Sequence, residues 1–278
     1  MKKKIHIVNL VLFFGFNPTK YKLIKKEIIK INNRQFPHNN KKFFIIDNKK
    51  KKNLIEYFDG DEILKGDNKC FDFSGYDKAL NILKKRKNYS KFDFFGFIND
   101  TILNRSYTSG AFLKNFNIKN SKKINQNTAI GYLDDFPKTT YLNNLPCKFW
   151  IRSNIFFLSK KILNKIKYLS FPIKDKELFY NDTNLFFKSK HLSKNWIAYM
   201  SSWLFNKKNK AFPEYKLNWL KSKKLTVNNL KYFKIKAKTI MSEHYLTARI
   251  NNIKSFKIEN INLKKLKKNR HISAYYKN

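Results

Sequence analysis

The sequence predicts an α/β fold with a mostly parallel central sheet flanked by helices, and three observations lead to it. Short apolar runs alternate three times with segments of helical spacing, which is typical of strands joined by helical crossovers. The aromatic-rich run Phe94–Ile98 is apolar on successive residues, as expected for a strand buried on both faces. The run stops abruptly at Asn99, Asp100 and Thr101, so oxygen-bearing side chains follow directly after a core strand.

Composition limits the class of protein. The 278 residues suffice for one large domain or two small ones. The formal net charge is +41, yet only six of the 60 basic residues are arginine, the residue best suited to guanine edges and phosphate clamps. Lysine rises together with Asn, Ile, Phe and Tyr, a joint bias that indicates an AT-rich genome. We therefore discount the charge as evidence for nucleic acid, although it favours attraction to nucleotide phosphates and anionic membranes.

The chain is expected to be cytoplasmic, either soluble or attached peripherally to the inner face of a membrane. Cys70 and Cys147 lie far apart without metal-ligand spacing, so buried thiols in a reducing compartment are the simplest interpretation. The basic and apolar start resembles a signal peptide, but Asn9 interrupts the apolar run and no small-residue cleavage site follows. No stretch reaches the roughly 20 apolar residues that span a bilayer.

The first elements follow from apolar spacing and capping residues. Ile5–Phe16 has the pattern of a buried first strand. Asn17 is a suitable N-cap and Pro18 a suitable first helical residue, which predicts a helix whose apolar residues recur at helical spacing over Tyr21–Ile31. Phe43–Ile46 then forms a short second strand.

The next elements carry weaker signals. Lys49–Lys52 and Leu54–Phe58 suggest a brief helix, and Glu62–Leu64 suggests a third strand. Ser74 is expected to cap a helix that ends near Lys87, after which the aromatic strand completes the alternation.

Three strand tips carry acid and amide side chains, which indicates a site. Because the carboxyl ends of parallel strands meet at one edge of a sheet, where open α/β proteins bind ligands, we expect the tips to share one hollow. Hard oxygen ligands there suit a divalent cation that carries a phosphorylated ligand. The alternative is that these residues only turn the chain. The tips are Asp47-Asn48, Gly66-Asp67-Asn68 and Asn99-Asp100.

These tips resemble those of the GT-A nucleotide-sugar glycosyltransferases, particularly family 2. Phe43–Asn48 matches the second strand of that family, whose terminal acid holds the nucleoside, and Asp47 is the matching residue. Gly66–Asn68 with Phe73–Leu80 is similar to the family's loop and helix under the nucleotide. Phe97–Thr101 stands where the family has its metal-binding Asp-x-Asp motif, although only one acidic residue of that motif, Asp100, remains.

The resemblance implies a donor site and a cofactor. It implies Mg²⁺ or Mn²⁺ as the metal that bridges the pyrophosphate, held by Asp100 and Thr101. Lysines nearby could replace the metal, since the acidic motif is reduced. Arg152 would clamp pyrophosphate, or else form a surface salt bridge. The implied nucleotide-binding residues are Asp47, Asn48, Asp67, Asn68, Asn99 and Arg152.

The resemblance continues more weakly to about residue 205, and also reaches bacterial polysaccharide enzymes of the rhamnan-synthesis type. Trp150–Leu163 is similar to the strand and helix that close over the donor sugar. The carboxylate-bearing helix start that follows in the family implies Asp182 as catalytic base, with Glu177 as the second choice. The alternative role for Asp182 is to cap a helix over Thr183–Leu192.

Three further segments offer hypotheses about the acceptor. The apolar and aromatic pattern of Asn195–Phe205 predicts a buried element. As an alternative, Trp203 or Trp219 could stack on an acceptor sugar. Glu243-His244 falls in a predicted helix over Lys236–Ile250, where adjacent side chains diverge and do not face one ligand well. The basic tail after Ile261 is solvated by default, or docks on anionic lipid.

Together these patterns predict a GT-A-like catalytic domain over residues 1–220 and a helical extension with a basic tail over residues 221–278. The predicted function is transfer of a sugar from a nucleotide-sugar donor to a cell-envelope polysaccharide or lipid-linked glycan, with inversion. The alternatives are a lysine-rich nucleic-acid-binding protein and a catalytically silent relative.

Overall fold

The computed structural model describes residues 4–36, 39–52, 54–103, 124–215, 219 and 221–261. Within them the chain forms an α/β structure around one eight-stranded sheet, which confirms the α/β class that was predicted. The strands are β1 Ile5–Phe13, β2 Asn39–Asp47, β3 Glu56–Phe58, β4 Asp61–Lys65, β5 Phe94–Asn99, β6 Thr128–Leu142, β7 Leu145–Ser159 and β8 Lys257–Asn260. The helices are α1 Pro18–Gln35, α2 Phe71–Lys84, α3 Lys160–Ile166, α4 Asp175–Leu178, α5 Lys194–Phe205 and α6 Val227–Asn251, with short 3-10 helices at Lys87–Lys91 and Asp100–Leu103.

The sheet is mixed, with a parallel block on one side. Its strand order is β3-β4-β2-β1-β5-β7-β6-β8. Strands β4, β2, β1 and β5 are mutually parallel, while β3 runs antiparallel to β4 and β7 antiparallel to β5. The connection from β1 through α1 leads to β2 on one side, and the connection from β4 through α2 leads to β5 on the other. The reversal of strand order therefore falls between β1 and β5, the place where doubly wound sheets bind ligands.

Helices α1 and α2 cover opposite faces of the parallel block. Asn17 caps α1 as predicted, since its side chain accepts a hydrogen bond from the backbone N–H of Lys20 at 2.9 Å, and Pro18 follows in the first turn. The buried face of α1 packs with β1 residues such as Val11. Tyr76 of α2 contacts Phe97 edge to face, with ring centroids 5.1 Å apart. Adjacent strand residues point to opposite faces, so the two helices leave both faces of the block buried.

The brief helix predicted over Leu54–Phe58 is wrong, because Glu56–Phe58 is the edge strand β3. It forms a hairpin with β4 through Asp59 and Gly60, whose φ values of 54° and 77° lie in the left-handed region. An Asp-Gly pair between two β-forming segments is a strong hairpin signal, and it overrides the weak helical spacing.

Ser74 does not cap α2, and that prediction is also wrong. The helix begins at Phe71 after Cys70, so Ser74 lies in its first turn. Its hydroxyl accepts a hydrogen bond from the backbone N–H of Cys70 at 2.8 Å and donates to the carbonyl of Asp67 at 2.9 Å. Ser74 therefore ties the helix start to the loop before it.

The helix predicted over Thr183–Leu192 is wrong as well. The structure has only two isolated β-bridges in this region, which pair Phe179 with Phe187 and Leu142 with Leu192. Phe186 and Phe187 are both buried although they are adjacent, while Leu185 is exposed. Such burial does not follow helical periodicity, and the aromatic side chains are held by tertiary packing instead.

The described residues divide into two compact units. The first unit comprises the residues through Leu133, Ile151–Ser170 and those from Ile250 onward. The second unit comprises Asp134–Trp150 and Phe171–Arg249, and its core is rich in aromatic rings. The division predicted at residues 220 and 221 stays a prediction; α6 and β8 are the elements observed after it.

Two other sequence expectations concern thiols and membrane spans. Cys70 and Cys147 are both buried thiols, as predicted. In the part of the chain that the structure describes, no helix is both long and apolar enough to cross a membrane.

Candidate functional site

The register of the parallel strands brings the predicted tips to one edge of the sheet. Asp47, the last residue of β2, lies beside Phe13 of β1 and Lys65 of β4. Asn99, the last residue of β5, lies beside Leu12 of β1. All four strands therefore end at the same level, and the tips that follow them share the carboxyl edge. This convergence was predicted from the sequence.

Asn48 joins three of these strand ends through hydrogen bonds. Its backbone N–H donates to the carbonyl of Phe13 at 3.0 Å. Its side-chain oxygen accepts from the backbone N–H of Asp67 at 3.0 Å, and its side-chain amide donates to the carbonyl of Phe71 at 3.1 Å. The Asn68 amide donates in turn to the Asn48 carbonyl at 3.2 Å. Asn48 is buried and its side-chain groups are engaged within the protein, so it holds the loops at these strand ends together.

Two glycines allow this close approach. A Cβ atom at Gly66 would lie 2.0 Å from Asn48 Oδ1, and one at Gly75 would lie 2.6 Å from the same oxygen and from Leu12 Cδ1. Neither position has room for a side chain. The loop after β4 and the first turn of α2 can therefore close on Asn48 only because both residues are glycine.

Asp47 is the last residue of β2, and Asp67 lies two residues beyond the end of the neighbouring strand β4. The Asp47 carboxylate accepts from the backbone N–H of Lys49 at 2.9 Å, and the Asp67 carboxylate accepts from that of Lys69 at 2.6 Å. Each acid thus closes a tight local turn. Both side chains remain half-buried at the carboxyl edge, where two acids are presented side by side on adjacent loops.

Asn99 organises the other end of the cluster. Its side-chain amide donates to Asp72 Oδ2 at 2.8 Å and to the Ser153 carbonyl at 3.4 Å. Its oxygen accepts from the backbone N–H of Thr101 at 3.1 Å and from the Thr101 hydroxyl. Asp72, in the first turn of α2, was missed by the sequence reasoning because the helix start was placed at Ser74. An Asp in a first helical turn beside a strand tip was the signal available.

Asp72 and Asp100 belong to one electrostatic environment. The hydroxyl of Tyr76 is buried without a hydrogen-bond partner among the described residues. Burial raises its pKa, and the charges of Asp72 and Asp100 raise it further. Burial also raises the pKa of Asp100, against the opposing effect of the Lys20 ammonium at 3.9 Å. Two carboxylates therefore act on one buried phenol at the switch point of the sheet.

Arg152 lies past the carboxyl end of β5. Strand β7 runs antiparallel to β5 and pairs Ile155 with Ile98, so Asn154 lies level with Asn99 and the residues that precede Asn154 extend beyond it. The Arg152 guanidinium is largely buried and lies over the ring of Tyr132, 4.7 Å from its centroid. This packing restricts the orientation of the guanidinium group.

The predicted catalytic acids lie in the second unit. Glu177 is in α4, and its carboxylate is 3.7 Å from His191 Nε2. Asp182 is exposed and accepts a hydrogen bond from the backbone N–H of Asn184 at 2.6 Å. Each acid makes a local contact that leaves it partly open to solvent.

Three residues that were considered for the acceptor make contacts within the protein, and their role in acceptor binding stays a prediction. His244 is buried against Trp150, its Nδ1 accepts from Trp196 Nε1 at 3.0 Å, and burial lowers its pKa to about 3. Trp203 and Trp219 stack on each other, with centroids 4.9 Å apart and planes 12° apart. The basic tail after Ile261 lies outside the described residues.

The cluster fits a divalent cation that keeps most of its own water. No group of three or more His, Cys, Asp or Glu side chains that could hold a metal ion occurs among the described residues. Mg²⁺ is usually bound by one or two carboxylates together with substrate phosphates. Asp100 and Asp72 supply that number, and a cation beside them would offset the cost of ionising a buried Asp100.

No family model, curated protein or solved structure matches this chain.

Proposed function

We propose that this chain is a GT-A-type glycosyltransferase with a helical C-terminal extension. It would transfer a sugar from a nucleotide-sugar donor to a cell-envelope polysaccharide or lipid-linked glycan, at the cytoplasmic surface of an anionic membrane. The observation that carries the proposal is the junction at Asn48, which joins the ends of β2, β1 and β4 at the carboxyl edge of the sheet, next to the point between β1 and β5 where strand order reverses. Acidic side chains flank that junction on both sides, as a nucleoside diphosphate with its cation requires.

Different groups at the carboxyl edge would bind different parts of the donor. Asp47 would accept hydrogen bonds from the ribose or base, while the N-terminal turn of α2 lies beside the diphosphate. Arg152 would donate to the diphosphate oxygens as a fork held in place by Tyr132. Asp100 and Asp72 would hold Mg²⁺ or Mn²⁺. When bound, that ion would neutralise charge on the departing diphosphate.

The transfer itself needs a base and a stabilised leaving group. The acceptor hydroxyl oxygen forms a bond to the anomeric carbon as the bond from that carbon to the phosphate oxygen breaks. The electron pair leaves with the nucleoside diphosphate, and Asp182, or Glu177 in its place, takes the hydroxyl proton. Displacement from the opposite side inverts the anomeric centre.

Thermal shift with UDP, GDP and CMP, each with and without Mn²⁺, tests the donor site. We expect one nucleotide to raise the melting temperature in a metal-dependent manner, since ligand binding stabilises the folded state. Asp100→Asn and Asp72→Asn should abolish the metal-dependent part. Glu27→Gln removes an acid from α1 in the same unit and should leave it intact. No response to any nucleotide would refute an active donor site and favour the silent relative.

A second candidate function rests on the formal net charge of +41. A lysine-rich surface attracts RNA or DNA through counterion release without sequence readout. Filter binding against generic RNA at modest salt separates the two candidates. Tight retention that falls steeply with salt, together with no nucleotide response, would support nucleic-acid binding in place of glycosyl transfer.

A further inference from the structure

A basic hollow lies within the second unit. The cavity has a volume of about 480 Å³ and reaches down to the buried side chains of Phe205 and Leu225. Its polar lining combines ammonium, hydroxyl and amide groups. They belong to Lys207, Lys223, Lys224, Thr183, Asn184 and Ser222. None of the predicted site residues lines it.

The charge in this hollow is of one sign. Its described lining contains no Asp or Glu, and Lys207, Lys223 and Lys224 form no ion pair with any carboxylate that the structure describes. In a chain with 60 basic and 19 acidic residues, a single lysine without an acid partner means little. Three such lysines around one concave surface, with hydroxyl and amide donors between them, form a concentrated positive field.

The backbone fixes where these lysines sit. Lys223 and Lys224 belong to the segment that leads into α6. Asn229, in the first turns of α6, donates from its side-chain amide to the Lys224 carbonyl at 3.0 Å and accepts from the Thr226 N–H at 2.9 Å. Lys207 follows the left-handed Asn206 that ends α5. Both supporting segments are thus held by helix caps.

We propose that the basic hollow is a binding site for a phosphate or diphosphate group. Lys207, Lys223 and Lys224 neutralise its charge, while Thr183, Asn184 and Ser222 donate hydrogen bonds to its oxygens. The inference goes beyond the proposed function, whose donor site is built from first-unit residues. If that function holds, the diphosphate of a lipid-linked acceptor is one source of such a group, and a free phosphorylated metabolite is another.

Calorimetric titration of the full chain with inorganic pyrophosphate, without added metal, tests the site. Lys223→Gln with Lys224→Gln should weaken binding at least about tenfold, because two charged contacts to the anion are lost. The matched control is Lys190→Gln with Lys194→Gln, which removes the same charge from exposed lysines of the same unit outside the hollow. Equal weakening by both pairs, or no weakening by either, would overturn the proposal.

Two further measurements distinguish a lipid-linked ligand from a free one. They also show whether the basic hollow and the proposed donor site bind their ligands independently. If the source is a lipid, more of the unsubstituted chain should sediment with phosphatidylcholine vesicles that contain polyprenyl diphosphate than with vesicles that lack it. Equal sedimentation with both vesicles, while pyrophosphate still binds, identifies a free ligand. The nucleotide response should persist when Lys223 and Lys224 are both Gln, and pyrophosphate weakening should persist in Asp100→Asn. Loss of one response without the other shows which site was wrongly assigned.

Discussion

The carboxyl edge of the first unit and the basic hollow of the second unit present polar groups in opposite ways. At the edge, Asn48 and Asn99 bind other parts of the protein with nearly every polar atom of their side chains. In the hollow, Lys223 and Lys224 make no ion pair with the described carboxylates. The edge is therefore fixed by contacts within the protein, whereas the hollow carries positive charge that no described carboxylate neutralises.

The difference has a physical origin. Parallel strands in register force their tips together, so buried amides there must find hydrogen-bond partners within the protein. Exposed ammonium groups are satisfied by water and can stay apart without cost. Substitutions at the edge should therefore act on folding and binding together, whereas substitutions at exposed positions should act on binding or catalysis alone.

The largest effect is expected from Gly66→Ala. The new Cβ would lie 2.0 Å from Asn48 Oδ1 and 3.0 Å from the Asn48 Cα atom, so the loop must move away. We expect the free energy of unfolding to fall by about 3 kcal/mol, at the upper end for overpacking, with loss of nucleotide binding. Urea unfolding measures the first effect and thermal shift the second.

Gly60→Ala is the control for Gly66→Ala. Gly60 has a φ of 77° but nothing within 4 Å of a new Cβ, so only the backbone conformation opposes the change, at about 1 kcal/mol. Pairing Asn48→Ala with Gly66→Ala should restore part of the loss, since the atom that clashes is removed. Strict additivity of the two single changes would contradict the close contact at Asn48.

The second prediction concerns His244, the buried imidazole of the second unit. Burial lowers its pKa from 6.5 to about 3, so the unfolded chain binds a proton between these values and the folded chain does not. Stability from this group is fully present above pH 6.5 and is lost as pH falls toward 3. Between pH 7 and pH 4.5 the loss should be about 2–3 kcal/mol.

Chemical denaturation at several pH values measures this slope, with His244→Gln as the variant that cannot titrate. The unsubstituted chain should lose more stability over the acid range than the variant does. An NMR titration of the His244 ring in the unsubstituted protein gives an independent answer. A ring that protonates near its ordinary pKa would show that the aromatic core is open to water.

The same contrast explains what could be predicted from the sequence. The parallel block followed from apolar runs, and the convergence of Asp47, Asp67 and Asn99 followed from parallel register alone. The N-cap at Asn17 could be predicted because Pro18, a residue typical of the first helical position, follows it. In the second unit, by contrast, Thr183–Leu192 was wrongly predicted as a helix, because aromatic packing there overrides local periodicity.

Other features depended on contacts that spacing does not encode. The role of Gly66 depends on its close contact with Asn48, which lies 18 positions earlier in the chain, and no local pattern predicts that contact. Asp72 was overlooked because α2 begins three residues before Ser74. The basic hollow gathers residues from three separate segments, so no single motif could have indicated it.

A smaller effect is expected from Asn99→Ala. The change removes the amide that donates to Asp72 and the oxygen that accepts from Thr101, so a partly buried carboxylate loses a donor. We expect a loss of about 1–2 kcal/mol in the free energy of unfolding and a reduced metal-dependent nucleotide response. Asn164→Ala, at an exposed helical position in the same unit, should change neither quantity. An unchanged nucleotide response in Asn99→Ala would show that Asn99 supports the fold without ordering the site.

The smallest effect on stability is expected from Asp182→Asn and Glu177→Gln. Both acids are exposed or half-exposed, so the free energy of unfolding should change by no more than about 0.5 kcal/mol. If Asp182 is the base, release of nucleoside diphosphate in the presence of acceptor should fall by at least about a hundredfold. Asp175→Asn, at another acid of α4, is the matched control and should keep its activity. A fall in Glu177→Gln but not in Asp182→Asn would move the role of base to Glu177. Equal activity in all three variants would remove both acids from the reaction.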